Sequence, residues 1–241
     1  FLENYPSSGW CRKAFDFLYH RYNELSGAQG FLNRFSNYVF SDSLKYIAGA
    51  ELKTIFPVYE EGRYGFVDGE GNFLIPLKYD SLDEQLLCGG ISRDFLEVTE
   101  EGKPLIVSRL GHVIFEGNYQ GVEDLGCGLL KVKVDGSYGI VHKSGELLLD
   151  FDFEDVALLN DKFLKIKIGE KWGLISLFGR QLLDVNYDEI EAENNFILIK
   201  SGDFYAVQNV NSLKNVAQGY PSELFFSFDD YLLLDNNQLL V

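Results

Sequence analysis

The sequence predicts a mainly β chain: an array of about five repeats, each with three short antiparallel strands, behind a helical N-terminal segment. Three observations carry that reading. Tyr138-Gly139 recurs 34 residues later as Trp172-Gly173, and the same spacing links Gly145 to Gly179, Phe153 to Tyr187 and Val156 to Ile190. Leu130, Val132 and Val134 alternate with Lys131 and Lys133, the period-two pattern of a strand with one buried face. Near residue 51 the apolar period changes from helical to alternating, which divides residues 1–50 from 51–241. The units are few and one period is stretched, so an elongated or curved array is expected; a closed, propeller-like array is the alternative.

Residues 10–25 read as an amphipathic helix. Cys11, Phe15, Leu18, Tyr22 and Leu25 share one face, Ser8 can cap the start, and Gly27 suits the left-handed position at the end. Residues 29–40 read as a second helix, with Phe31, Phe35, Tyr38 and Val39 on one side. Open arrays need covered ends, so residues 1–50 are expected to cap the first repeat, burying Phe15, Leu18, Phe31 and Phe35.

The repeats are placed at about 52–84, 94–125, 128–159, 162–193 and 195–226, with a partial unit at 229–241. The partial unit predicts that the array continues. In the best copies a strand (Leu130–Val134, Leu164–Ile168) leads through a Gly-containing turn into an aromatic-Gly pair and a short apolar strand. A second turn closes with Gly145 or Gly179, and a third strand ends at Phe153-Glu154-Asp155-Val156 or Tyr187-Asp188-Glu189-Ile190. The first copy has Tyr64-Gly65 and closes at Tyr79-Asp80. The second has Pro104-Leu105 at the aromatic-Gly position. The last is read as Phe204-Tyr205, with Tyr205 in place of the glycine. Tyr79 and Tyr119 are 40 residues apart, and the surplus falls near Leu87 to Asp94.

Lys171-Trp172-Gly173-Leu174-Ile175, then Gly179 and Tyr187-Asp188-Glu189-Ile190, resembles the WG-repeat (KWG-repeat) family of bacterial proteins. Tyr64-Gly65-Phe66-Val67, Gly71 and Ile75-Pro76-Leu77-Lys78-Tyr79-Asp80 fit more of the same pattern. The resemblance covers roughly residues 52–224 and leaves residues 1–50 outside it. It implies β-rich arrays, often on or outside the bacterial inner membrane, and brings no catalytic residues to transfer. In this reading Tyr64, Gly65, Tyr138, Gly139, Trp172 and Gly173 are structural. The glycine permits either a backbone bend with positive φ or close approach to a neighbour, and the aromatic fills the core between units, with Trp172 as a core residue.

Composition narrows the function. With 37 acidic against 21 basic side chains, the formal net charge is −16, so phosphate backbones and anionic lipid are repelled. No apolar stretch is long enough to cross a membrane, and the N-terminus shows no signal pattern. Cys11, Cys88 and Cys127 form no metal or disulfide pattern. His20, His112 and His142 hold non-equivalent repeat positions; the counterparts of His142 are the turn residues Asp68, Ser108 and Ser176. Asp68-Gly69-Glu70-Gly71-Asn72 lacks the bidentate glutamate of a calcium loop and reads as a turn. Asp80, Asp155 and Asp188 recur at repeat ends, which points to hydrogen bonding with the backbone rather than a catalytic pair. No cofactor and no metal are expected.

The sequence therefore predicts a non-catalytic scaffold that binds a protein partner with a basic patch. A glycan or cell-wall module using exposed aromatics is the alternative. The expected interaction loop is Leu87, Cys88, Gly89, Gly90 and Ile91 in the stretched connection, because insertions in repeat arrays often carry binding.

Overall fold

The computed structural model describes residues 14, 18 and 54–240, apart from 194, 195, 220–222, 228, 229, 236 and 237. The helical cap expected over 1–50 lies outside the described residues except for positions 14 and 18. The chain divides into two compact units, Phe1–Asp135 with Ile140–Leu147, and Gly136–Gly139 with Leu148–Val241.

Among the described residues the fold is a repeat array of small antiparallel sheets, each with its strands in chain order. The first sheet holds β1 (Ile55–Glu60), β2 (Arg63–Asp68) and β3 (Phe73–Tyr79). The second holds β4 (Ser81–Leu82), β5 (Phe95–Glu100), β6 (Lys103–Ser108) and β7 (Val113–Glu116). The next strands are β8 (Gly121–Gly126), β9 (Leu129–Val134), β10 (Ser137–His142) and β11 (Leu147–Phe153). Then come β12 (Asp155–Leu159), β13 (Phe163–Ile168), β14 (Lys171–Ser176) and β15 (Gln181–Tyr187) in one sheet. They are followed by β16 (Glu189–Glu193), β17 (Phe196–Ser201), β18 (Phe204–Asn209) and β19 (Asn215–Gly219). The last sheet is β20 (Glu223–Ser227), β21 (Asp230–Asp235) and β22 (Gln238–Leu240).

The 34-residue unit thus contributes four strands where the sequence predicts three. The extra strand is the closing segment, which leaves its own sheet and pairs with the next repeat. Val156 lies opposite Ile166, Ile190 opposite Ile199, and Leu82 opposite Val98. Val156 and Ile190 are fully buried. Their apolar side chains pack where the next repeat begins, so pairing there satisfies backbone and core together. Asp135 and Gly136 both have left-handed φ, 50° and 89°, as a two-residue hairpin turn between right-twisted strands requires.

Each unit has its own core. Ile55, Phe66, Ile75, Tyr79, Leu96 and Val107 pack together in the first, and Leu174, Ile190, Ile197 and Ile199 in the second.

The motif glycine sits where the third strand bulges. On β2 and β3, Tyr64 lies opposite Tyr79 but Phe66 lies opposite Ile75, so β3 carries two surplus residues across from Gly65. Trp172 lies opposite Tyr187 and Leu174 opposite Leu183, the same surplus across from Gly173. A Cβ on Gly65 would stand 2.8 Å from the Ile75 carbonyl oxygen, and one on Gly139 2.7 Å from that of Leu149. A Cβ on Gly173 would stand 2.8 Å from Val185 Cγ2 and 3.1 Å from the Leu183 oxygen. The reason for glycine is therefore close approach, not positive φ.

Where the glycine is replaced, the surplus across from its position is gone, and only the later register shift remains, at Ile106/Val107 and Val207/Gln208. Tyr205, Ala206 and Val207 lie opposite Gly219, Gln218 and Ala217 without a break, and Leu105 and Ile106 opposite Glu116 and Phe115. This register corrects the sequence alignment of the last copy. Tyr205 faces Lys200 as Trp172 faces Lys167, so Tyr205 is the motif aromatic and Ala206 stands in the glycine position.

Gly173→Ala should therefore cost about 1–3 kcal/mol through overpacking against the bulged strand. Ala206→Gly should lose only about 0.5–1 kcal/mol, the chain-entropy cost of glycine. Urea unfolding of the two variants beside the wild type compares them, and equal midpoints would remove the close-approach account.

Candidate functional site

The motif aromatics are half-buried: Trp172 packs against the core of the second unit, as expected, but is not enclosed by it. Residues directly opposite in an antiparallel pair share a face. Trp172, opposite Lys167, therefore shares the lysine face. Lys165 Nζ lies 4.1 Å and Lys167 Nζ 5.5 Å from its ring centroid. Tyr205 has Lys200 Nζ at 5.4 Å, and Tyr64 packs on Tyr59 with ring centroids 4.6 Å apart.

The recurring acids bind backbone. The Asp80 carboxylate pairs with Arg63 of its own repeat and accepts the Gly102 N–H of the next at 2.9 Å. Asp188 likewise pairs with Lys171 and accepts the Gly202 N–H at 2.6 Å. In the third repeat this role falls to Glu154, which accepts the Gly169 N–H at 3.0 Å, whereas Asp155 bonds the adjacent Val156 N–H. The hydrogen bond from Lys171, then that from Gly202, holds the Asp188 carboxyl below its ordinary range.

A second set of recurring side chains caps the turn before the third strand. Asp68 Oδ1 accepts the N–H groups of Glu70 and Asn72, both at 3.0 Å, so the calcium-like run is a turn. Ser108, Ser176 and Asn209 accept turn N–H groups in the same way. His142 is the counterpart: its Nδ1 accepts the Ser144 N–H at 3.1 Å and lies 2.7 Å from Ser144 Oγ. Cys127 is buried in the turn between β8 and β9. Among the described residues, no three His, Cys, Asp or Glu side chains are grouped to hold a metal ion.

The stretched connection is the site that departs from the repeat. It opens with a short 3-10 turn, Glu84–Leu86, capped by Asp83. Leu86 and Ile91 are buried, 1% and 5% exposed, and Ile91 exchanges backbone hydrogen bonds with Ile55 at 2.8 and 3.2 Å. Leu87 is 46% exposed and Cys88, Gly89 and Gly90 are exposed. A Cβ on Gly90 would meet Thr54 Cγ2 at 2.4 Å, so the chain at Gly90 lies tight against the first sheet. Of the expected loop residues, Ile91 is thus an anchor and Leu87 to Gly90 form the tip.

Two basic side chains hold the far end of this loop. Arg109 Nη2 donates to the Ile91 carbonyl at 2.8 Å, and Lys143 Nζ binds Asp94 at 2.9 Å and Asp124 at 2.7 Å. The Lys143 side chain is only 8% exposed. Burial disfavours its charge, but Asp94 and Asp124 outweigh burial and raise its pKa. At the loop base Arg93 lies over the Phe95 ring, 3.7 Å from Glu97 and 3.9 Å from Asp83. Burial raises the Glu97 carboxyl, against the opposing pull of Arg93. The sequence reading missed these anchors. Its available signal was a basic residue at the second turn position in two successive repeats, Arg109 and Lys143.

The motif, its bulge and the linking acids together define the repeat. The chain carries WG repeats. The family model described as "WG containing repeat" matches residues 64–84 and 138–172. No curated protein matches the chain. Solved structures similar to it include Hsv2 of Kluyveromyces lactis, at 9% identity over 72% of this chain and 61% of that one, with a TM-score of 0.32. PorZ of Porphyromonas gingivalis, described as a surface component of the type-IX secretion system, is 11% identical over 76% of this chain and 30% of that one, with a TM-score of 0.27. The WD40 β-propeller domain of Doa1 is 10% identical over 73% and 68%, with a TM-score of 0.26. The chain covers 44% and 48% of two further Hsv2 structures, about half their length. At these TM-scores the likenesses carry no argument about the role of the WG repeats.

Two outcomes follow from the ion pairs. Lys143→Ala leaves two partly exposed carboxylates without their buried ammonium and should cost about 1–3 kcal/mol, whereas Lys143→Met with Asp94→Asn and Asp124→Asn should recover most of it; urea unfolding of both variants is the check. Asp188 has a lower pKa folded than unfolded, so its ionised form stabilises the fold above the ordinary aspartate value of 3.8. The melting-temperature gap between wild type and Asp188→Asn should be present at neutral pH and close as pH falls through the depressed value. A gap that persists in acid would contradict the pairing.

Proposed function

We propose that the chain is a non-catalytic interaction module that presents the Leu87–Gly90 tip to a protein partner with a basic patch. The observation that carries this reading is the contrast between the tip and its base. Leu86, Ile91, Arg109 and Lys143 fix the ends by burial and hydrogen bonds, while Leu87 stays exposed. A tip held in place lowers the entropy lost on binding. Asp83 and Glu84 beside it, and the net charge of −16, favour a cationic partner and make binding weaken with salt.

A glycan-binding role would use the ring faces of Tyr64, Tyr138 and Trp172 as platforms. Lys165 Nζ lies over the Trp172 ring and Tyr59 packs on Tyr64, which argues against open platforms there.

Replacing Leu87 and Cys88 by serine should leave the melting temperature unchanged, because neither side chain is part of the anchored base. Affinity capture with this variant should lose the salt-sensitive partners that the wild type retains. Equal recovery of the same partners at low and at high salt would overturn the proposal.

A further inference from the structure

The second to fifth sheets each begin with a closing segment from the preceding repeat, β4, β8, β12 or β16, whereas the first sheet begins with β1. The closing segment takes the same seat each time. Its entering N–H donates to the carbonyl of the penultimate residue of the strand it joins. Asp80 reaches Thr99 at 2.7 Å, Gln120 reaches Lys133 at 2.8 Å, Glu154 reaches Lys167 at 3.0 Å and Asp188 reaches Lys200 at 2.9 Å. Two residues on, an aliphatic side chain lies opposite another in the joined strand, as Leu82 does Val98 and Ile190 does Ile199.

On β1 the penultimate residue is Tyr59, and among the described residues no strand lies against its outer side. The turn that follows, Glu60-Glu61-Gly62, repeats Glu100-Glu101-Gly102 of the second sheet. The two turns share a conformation, with φ of 51° and 82° at Glu61 and Gly62 against 52° and 77° at Glu101 and Gly102. In the second sheet the Asp80 carboxylate accepts the Gly102 N–H at 2.9 Å. The β1 side chains differ from their counterparts in the same sense. Phe56 is 38% exposed and Val58 half-buried, whereas Leu96 and Val98 in the next repeat, and Leu130 and Val132 in the one after, are buried. Apolar positions that the repeat covers elsewhere are thus uncovered beside an open sheet edge.

The edge also limits what can cover it. Ile91 takes the Ile55 end by backbone hydrogen bonds, and Pro57 has no N–H to give. The stretch that remains suits a strand as short as β4, which has two residues. The closing segments among the described residues are each committed to a sheet of their own, so a second copy of the chain has none of them to offer.

We infer that the β1 edge from Pro57 to Gly62 accepts a short strand of another protein, with Asp or Glu placed for the Gly62 N–H and Val, Leu or Ile two residues later against Val58. Backbone bonds hold such an added strand and the side chains at fixed positions select it. The inference does not rest on the Leu87–Gly90 tip.

The full chain is titrated into a labelled, end-capped peptide with the sequence of residues 76–83, which contains Asp80-Ser81-Leu82. Fluorescence anisotropy should show saturable binding, and the Tyr59 and Gly62 amide resonances should shift. Leu82→Asp in the peptide should weaken binding at least about tenfold, because it puts a charge against Val58. Asp80→Asn in the peptide should weaken it about threefold to tenfold and shrink the Gly62 shift. Both changes leave the fold of the protein untouched. No saturable binding, equal binding of the three peptides, or shifts that spare Tyr59 and Gly62 overturn the inference. So does a wild-type dimer that the peptide dissociates. A disulfide between Leu44→Cys and Val58→Cys, with Cys11, Cys88 and Cys127 replaced by alanine, overturns it too, because it assigns the edge to Asp42-Ser43-Leu44 of this chain.

Discussion

The contact on which the rest of the WG repeat depends is the one between the motif glycine and the backbone of the strand beside it. At Gly65, Gly139 and Gly173 the neighbouring chain comes so close that a single methyl group would collide with it. That approach lets the third strand carry two surplus residues in β3 and β15, and β3, β11 and β15 each run to seven. The surplus delivers the closing aromatic opposite the motif aromatic, Tyr79 to Tyr64 and Tyr187 to Trp172. The next residue, Asp80 or Asp188, then meets both its own repeat's basic side chain and the next repeat's turn. Without the glycine the geometry changes together: β7 stops at Glu116, and Tyr119 follows after the strand, packed edge-on to Phe115.

The same logic accounts for side chains that look chemical in the sequence. Asp80, Glu154 and Asp188 each accept a backbone N–H from the following turn, an interaction that strengthens when the acceptor is charged. Asp68, Ser108, His142, Ser176 and Asn209 each accept N–H groups inside their own turn. Hairpins leave turn N–H groups without a ladder partner, and a short polar side chain at one fixed position supplies it. Residue types so different share the position because only an acceptor atom is required.

Much of this was legible in the sequence, and the parts that were not have a common cause. Alternation placed β9 and β13, and Asp135-Gly136 placed the turn after β9, because period and turn chemistry are local. The recurrence of Tyr187-Asp188-Glu189-Ile190 was visible too, but not that Ile190 pairs with Ile199 in the next sheet; a repeat period has no phase. The last copy was misaligned at Tyr205 because its glycine had become alanine, and only the register with Lys200 restores the match. Trp172 is expected in the core because the motif aromatic is read as filling the space between units; it packs against that core, but its position opposite Lys167 also gives it a lysine-covered face. Lys143, Asp94 and Asp124 are too far apart in sequence for any local rule to join them.

Departures from the repeat are informative because the fold does not require them. A hairpin turn needs an acceptor and a glycine; it does not need Arg109 or Lys143. In the first unit these departures come together. The two basic residues are bound around an insertion that the period does not call for. Burying Lys143 between two aspartates gains little over an apolar side chain of similar size. The gain is in position: the anchors fix where Leu87 stands relative to the first sheet. The regular residues therefore explain why the chain folds, and the irregular ones are where the proposed partner contact is placed.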